Sequence, residues 1–304
     1  MNRQPKLTKA YKNLFEELAN KNKYVVRTVY QHYVLNKGVP DQKLTTVVMR
    51  IDVDNGFHLS LPLANWIDHY GLTASHFFLT HPDRYYSIWE SDIPRTIHEL
   101  GQEVGLHTDH FYEQLAFGKD GLSNLKDDIN RLGEQIGKPI KGMVHHGHPE
   151  IDALGVKNWD LTKDMESSEL GLEYHEGIKS VYISPGSDSW APKCDESISD
   201  FMTLPYSWGW NYLPWYPALI LKMRACKGQV FHVVFHTMSA FEYWHDWPND
   251  FHENPVEKET VLVFWKKRLI IFYRYFVSPI WKKPMICILK FVGIEKQVRQ
   301  WLQK

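Results

Sequence analysis

The sequence is poor in cysteine and has no long apolar run. Its three cysteines, Cys194, Cys226 and Cys287, lie far apart and form no CxxC pair, which argues against a disulfide framework and a thiolate zinc site. No stretch of about 18 uncharged apolar residues occurs, so no segment is predicted to cross a membrane. Met1–Tyr11 lacks the apolar core of a signal peptide. We therefore expect a cytoplasmic protein.

A large net charge is also missing, since the 304 residues carry a formal charge of -1. The composition, 43% hydrophobic and 23% charged, is ordinary for a globular protein, and the length suits one barrel-sized domain with additions. The charge is nevertheless segregated, because residues 255–304 hold eleven Lys or Arg against three Glu. This pattern predicts a basic tail on an acidic body.

Short apolar strand patterns alternate with helical patterns between residues 45 and 237, and neither repeats nor low-complexity segments interrupt them. Such alternation with short connections predicts parallel strands and right-handed crossovers, so we expect an α/β fold with an eight-stranded or slightly short β/α barrel. The predicted parts are a helical N-terminal extension (1–44), the barrel (45–250) and a basic amphipathic helical tail (251–304). Strands are predicted at 46–54, 73–80, 103–108, 140–146, 180–184 and 229–235, and helices at 8–20, 59–70, 91–101 and 122–136.

Carboxylates and imidazoles collect where these strands end. Asp52 and Asp54 close the first barrel strand, on the same side of it, and His107, His146 and His236 close three others. In β/α barrels the catalytic groups gather at this end of the strands. One carboxylate and two imidazoles suit a catalytic metal with an open position for water, and one carboxylate and one imidazole remain for a base and an acid.

A purely structural interpretation of the same residues stays open. Asp54 would then cap the helix that follows it, and Asp52 would pair with Arg50 in the same strand. A single histidine in a strand is more often a core residue than a ligand, but three at strand ends beside two aspartates favour a site.

Four segments in this order resemble the polysaccharide deacetylases, the carbohydrate esterases that share the chitooligosaccharide deacetylase homology domain. They are Arg50–Asp54, Thr73–Leu79, Gly101–His107 and Val234–His236. The sequence is most similar to divergent cytoplasmic members associated with surface-polysaccharide gene clusters. The resemblance implies a distorted or incomplete β/α barrel.

The resemblance also implies roles. Asp52 matches the general base, Asp54 the metal-binding aspartate, His107 the first histidine of the metal-binding His-(Ser/Thr)-x-x-His motif, and His236 the general acid. One divalent metal, with zinc favoured, is the implied cofactor. The expected function is removal of an N-acetyl or similar acyl group from a nucleotide- or lipid-linked amino sugar in capsule or O-antigen biosynthesis.

The third metal ligand departs from the family motif. The position four residues after His107 is Phe111, while His110 lies one position early. We favour His146 over His110, because a strand end holds an imidazole better than an opening loop does. Asp109, beside His110, is assigned to substrate binding. The family's arginine-and-proline motif is replaced by Val144–Pro149, which leaves the substrate less defined than the metal.

Two other functions stay open. A divergent enzyme would use the same site on a formyl or other sugar substituent, whereas a lapsed site would leave a glycan- or membrane-binding barrel. Asp188 and Trp190 belong either to a substrate loop or to a tight turn. The aromatic segment 204–217 is either a sugar platform or packing over the barrel.

The basic tail at residues 255–304 alternates apolar blocks with Lys and Arg. This pattern is typical of helices that lie on an anionic membrane, so we expect a peripheral position on the inner membrane face. Docking of the same helices on the barrel or on a second subunit is the alternative. Nucleic acid is not expected as a partner, because no recognition motif accompanies the basic residues.

Overall fold

The structure, a computed structural model, describes most of the chain up to Phe241. The chain divides into two compact units, Met1–Pro248 and Asn249–Lys304, and every described residue belongs to the first. No helix in the described part is long and apolar enough to span a bilayer. The membrane and docking alternatives for the tail stay predictions. The described residues are 5–54, 56–80, 88–147, 151, 155–180, 196–199, 223–224 and 227–241.

One parallel sheet of eight strands forms the framework of the described residues. Its order is β6-β5-β4-β3-β2-β8-β7, and β1 pairs with the first half of β2 on the same edge as β3. The strands are β1 (Tyr24–Arg27), β2 (Thr45–Val53), β3 (Ser75–Leu79), β4 (Glu103–Thr108), β5 (Gly142–His145), β6 (Tyr174–His175), β7 (Glu196–Ser199) and β8 (Val230–His236).

This strand order is that of a β/α barrel in which one pair of neighbouring strands is not joined. The strands run in sequence from β2 to β6, and β7 and β8 return to the other edge of β2. Within the described residues β6 and β7 do not pair, so the circle is broken at that point. The predicted α/β class with an incomplete β/α barrel is therefore confirmed.

Five α-helices accompany the sheet in the described part. The signals that begin and end them are local: Thr8 accepts a hydrogen bond from the Tyr11 N–H at the start of α1, and Gly137, with φ of 79°, ends α5 in the left-handed conformation. The helices are α1 (Lys9–Leu18), α2 (Ser60–His69), α3 (Ile93–Glu99), α4 (His110–Phe117) and α5 (Gly121–Ile136).

The two faces of the sheet have different chemistry. Because side chains alternate along a strand, Met49 and Ile51 face the apolar core under the helices, while Arg50 and Asp52 face the barrel interior. The ring of Tyr174 helps to fill the barrel interior. It packs so close to Gly142 that a Cβ on this residue would overlap the ring. The sheet is therefore packed on its outer face and polar at one end of its inner face.

The structure adds elements that the sequence pattern does not predict. The segment expected to be only a helical extension contributes β1, whose four residues are too few for a clear alternation. β6 has two residues, and α4 begins directly after β4. The strand predicted at 180–184 lies, apart from Ser180 in a bend, outside the described residues.

His76 in β3 makes the folded state sensitive to acid. Its side chain is fully buried on the outer face, neither ring nitrogen hydrogen-bonds a described residue, and burial lowers its pKa to about 3. Below pH 6.5 His76 is protonated in the unfolded chain but remains neutral in the folded chain. The free energy of unfolding therefore decreases as the pH falls towards 3. Between pH 7 and pH 5 this linkage amounts to about 2 kcal/mol.

We predict that His76→Phe removes this part of the acid sensitivity. Urea unfolding at pH 7 and pH 5 gives the decrease in unfolding free energy between these pH values for each protein. This decrease should be about 2 kcal/mol smaller in the variant than in the unchanged protein. An equal loss in both proteins would show that His76 is not the group responsible.

Candidate active site

The structure brings five of the predicted site residues to one edge of the sheet. Asp52 is near the end of β2 and lies opposite His236, the last residue of β8, while Asp54 follows β2 directly. His107 lies in β4, and His146 follows β5. Since the carboxyl ends of parallel strands share one edge, residues distant in sequence meet there.

The Asp54 carboxylate lies at the centre of this group. Its Oδ1 is 3.0 Å from His107 Nε2, and its Oδ2 is 3.0 Å from His236 Nε2 and 3.7 Å from His146 Nε2. The side chain of His107 is 2% exposed and that of His236 is 40% exposed. His107 therefore forms the floor of the site, and His236 faces its entrance.

The electrostatics of the site follow from burial and from charge. Burial raises the pKa of Asp54, but the charges of His107, His146 and His236 outweigh it and hold that pKa well below its usual range. Burial alone would lower the pKa of His146. The nearby carboxylates of Asp54 and Asp109 have the larger effect and raise that pKa to about 9. At neutral pH the Asp54 carboxylate therefore faces the protonated imidazole of His146.

Neighbouring groups direct the Nε2 atoms of His107 and His146 towards Asp54. His107 Nδ1 lies 3.3 Å from the Val144 carbonyl oxygen, which only accepts, so Nδ1 carries the hydrogen. His146 Nδ1 lies 3.4 Å from Asp109 Oδ2. In both rings Nε2 is the nitrogen that points into the site, an arrangement common in metal-binding histidines.

Asp109, predicted to bind substrate, lies beside His146 in the structure. Its carboxylate is buried and accepts a hydrogen bond from Asn158 Nδ2, which also donates to the His146 carbonyl oxygen at 2.8 Å. The group predicted to bind substrate is thus engaged with His146 and Asn158. The structure places it as a support for an imidazole.

Asp52 forms the ion pair that the structural interpretation of the sequence describes. Arg50 donates from Nε to Asp52 Oδ1 at 2.6 Å and from Nη2 to Oδ2 at 2.8 Å. Asp52 Oδ2 also lies 3.9 Å from His107 Nε2, so it borders the site. The helical turn after Asp54 has Gly56 at its N-cap position.

His110 is directed away from Asp54. Its Nε2 lies 3.1 Å from Asp128 Oδ2 in α5, its Nδ1 lies 2.6 Å from Thr108 Oγ1, and it is fully buried. Of the two candidates for the third ligand, the structure brings His146 to the site. The substrate candidates Asp188 and Trp190 and the aromatic segment 204–217 lie outside the described residues.

Sequence reasoning missed Glu176, His145 and Asn158. Glu176 accepts a hydrogen bond from Arg50 Nη1 at 2.7 Å. A buried arginine inside an apolar strand signals that an acidic partner is needed, and Asp52 supplies one two residues away. Nothing in the pattern identifies a second partner 126 residues later.

The donor types suit a divalent metal. Zinc takes carboxylate oxygen and imidazole nitrogen, and neighbouring ligands in a tetrahedral shell lie about 3.4 Å apart. His107 and His146 place Nε2 at 3.0 and 3.7 Å from Asp54 oxygens. Among the described residues no group of three or more His, Cys, Asp or Glu is arranged as a complete metal site. The chemistry of the donors therefore fits a metal, while their arrangement is that of ion pairs.

No family model and no curated protein matches this chain. Solved structures that match include a CE4 esterase of Streptococcus mutans, at 13% identity over 80% of this chain and 87% of the other, with a TM-score of 0.40. A peptidoglycan N-acetylglucosamine deacetylase domain of Eubacterium rectale matches at 15% identity over 67% and 80%, with a TM-score of 0.40.

A polysaccharide deacetylase of Bacillus cereus matches at 14% identity over 64% of this chain and 80% of the other, with a TM-score of 0.34. A further match is a mutant of a CE4 family pseudoenzyme. The matched structures described here are thus CE4 esterases, deacetylases or a relative described as a pseudoenzyme. At these identities and TM-scores the matches assign no activity, and the likeness to polysaccharide deacetylases stays a resemblance.

The raised pKa of His146 is open to direct measurement in the metal-free protein. We expect its imidazole to titrate near pH 9 in carbon-13 NMR, and Asp54→Asn and Asp109→Asn each to lower that pKa, because each removes a carboxylate facing the ring. Asp68→Asn, a change at an exposed position of α2, is the matched control. A pKa unchanged by both site variants would contradict the described contacts.

Proposed function

We propose that this protein is a metal-dependent hydrolase that removes an acyl group, foremost N-acetyl, from an amino sugar. The observation that supports it is the meeting of two strand-end aspartates with three strand-end histidines at one edge of a parallel barrel. The order of the motifs that contain these residues, which resembles that of polysaccharide deacetylases, supports the same reaction.

Asp54, His107 and His146 would hold the metal, with zinc favoured. When bound, such an ion polarises the acyl carbonyl and lowers the pKa of a coordinated water. The three side chains supply one carboxylate and two imidazoles, which matches the ligand number of catalytic zinc sites. The Val144 carbonyl and Asp109 support the two rings from behind.

Asp52 is the proposed general base and His236 the proposed general acid. Asp52 is fixed in orientation by Arg50 and borders His107, and the lone pairs that Arg50 leaves unused would take a proton from the attacking water. His236, the most exposed of the three imidazoles, is placed to give a proton to the departing amine at the entrance.

The substrate is proposed to be a nucleotide- or lipid-linked amino sugar of a bacterial surface polysaccharide. Asp188 and Trp190 are proposed to contact the sugar. The basic residues of 255–304 suit an anionic membrane surface, and a peripheral position on the inner membrane face would bring the protein to a lipid-linked substrate.

The metal proposal predicts about one divalent ion per chain of the purified protein. Elemental mass spectrometry should find that ion lost in Asp54→Asn and in His107→Ala, because each variant removes a ligand. Asp68→Asn and His69→Ala, both at exposed positions of α2, should retain it. No metal in the unchanged protein, even after reconstitution with zinc, cobalt and manganese, would overturn the proposal.

The role assignment predicts slow chemistry in variants that still bind metal. With acetate release from free, nucleotide-linked and lipid-linked N-acetyl amino sugars as the assay, Asp52→Asn and His236→Ala should each lose about 100-fold or more in kcat. Full activity in either variant would remove that residue from the mechanism. The controls Asp68→Asn and His69→Ala should match the unchanged protein.

A further inference from the structure

The guanidinium of Arg50 is shared between two carboxylates in the barrel interior. Nε and Nη2 bind the two oxygens of Asp52 at 2.6 and 2.8 Å, and Nη1 binds Glu176 Oε1 at 2.7 Å. The side chains of Arg50, Asp52 and Glu176 are 5%, 8% and 9% exposed. The donors of a guanidinium lie in one rigid plane, so binding at both ends fixes the orientation of that plane.

Glu176 is itself held in place from the neighbouring strand. The His145 backbone N–H donates to Glu176 Oε2 at 2.7 Å, and His145 Nδ1 lies 3.5 Å from the same oxygen. His145 Nε2 lies 2.9 Å from Thr162 Oγ1. A series of contacts therefore runs from Thr162 through His145, Glu176 and Arg50 to Asp52.

This series crosses the barrel interior. Arg50 is in β2 and Glu176 directly follows β6, and the strands β3, β4 and β5 lie between them in the sheet. Gly105 and Gly142, on the intervening strands, leave room for aromatic rings, since a Cβ on Gly105 would lie 2.7 Å from the ring of Phe77 and one on Gly142 would overlap the ring of Tyr174. The contact joins the two sides of the incomplete barrel just below the site.

We propose that Glu176 is a positioning residue for Asp52 and acts through Arg50. This inference rests on the proposed function, in which Asp52 is the base. Because Glu176 is held by His145, its contact with Nη1 helps to fix the plane of the guanidinium and, through that plane, the orientation of the Asp52 carboxylate. The second carboxylate also shares the donors of the guanidinium, since Glu176 takes Nη1 while Asp52 takes Nε and Nη2.

The kinetic test compares Glu176→Gln with Glu173→Gln. Glu176→Gln keeps the shape of the side chain but places an amide N–H opposite a donor of Arg50 or His145. Glu173→Gln is the control, because it changes a half-exposed glutamate three residues earlier. For Glu176→Gln we expect kcat to fall about 10- to 100-fold with unchanged KM and metal content, as misplacement of a reacting group does. Unchanged kcat would overturn the proposal.

A double variant separates positioning from a general loss of structure. If Glu176 acts through Asp52, adding Glu176→Gln to Asp52→Asn should change kcat by less than about twofold, because the base is already absent. A further fall as large as that in the single variant would overturn the proposal, since it would show an effect independent of Asp52.

A nitrogen-15 NMR measurement tests the positioning without any substrate. The Arg50 Nε–H signal is assignable through the Phe77 ring, whose centroid lies 5.7 Å from Arg50 Cζ. We expect slow hydrogen exchange in the unchanged protein and in Glu173→Gln, and exchange at least about tenfold faster in Glu176→Gln. Equal exchange in all three would overturn the proposal. Absence of acetate release by the unchanged protein would instead overturn the proposed function alone.

Discussion

The parallel pairing of β2 with β3 on one side and with β8 on the other determines the positions of the candidate active-site residues. The register places Asp52 opposite both Phe77 and His236, and it places Leu79 beside His107. A shift of one residue would turn Asp52 of β2 towards the apolar core. The continuous apolar outer face of β2 prevents that shift, since Met49 and Ile51 are buried under the helices.

The two aspartates of the site are held in different ways. Asp52 faces a fixed cation, Arg50, which is bound in turn by Glu176, whereas Asp54 faces imidazoles, whose charge depends on pH and on metal. Paired carboxylates in unlike environments commonly have different tasks. These two environments suit the roles proposed above, in which Asp52 takes a proton and Asp54 binds a cation.

Much of the fold and part of the site follow from the sequence because their signals are local. Alternating strands and helices and strand-end Asp and His residues are visible in the pattern, and Asp54, His107, His146 and His236 do meet. The partners of those residues are not visible, because Glu176 and Asn158 reach the site through tertiary contacts. The buried carboxylate of Asp109, predicted to bind substrate, lies 3.4 Å from His146 Nδ1, a contact that the sequence pattern does not show.

Anomalous X-ray diffraction at the zinc edge, from crystals grown with zinc, would test whether Asp54, His107 and His146 bind a metal. We expect one strong peak about 2.0–2.2 Å from an Asp54 oxygen and from Nε2 of His107 and His146. A peak elsewhere, or none at this edge of the sheet, would contradict it. In that case the aspartates and histidines would form ion pairs that stabilise the barrel and bind no metal.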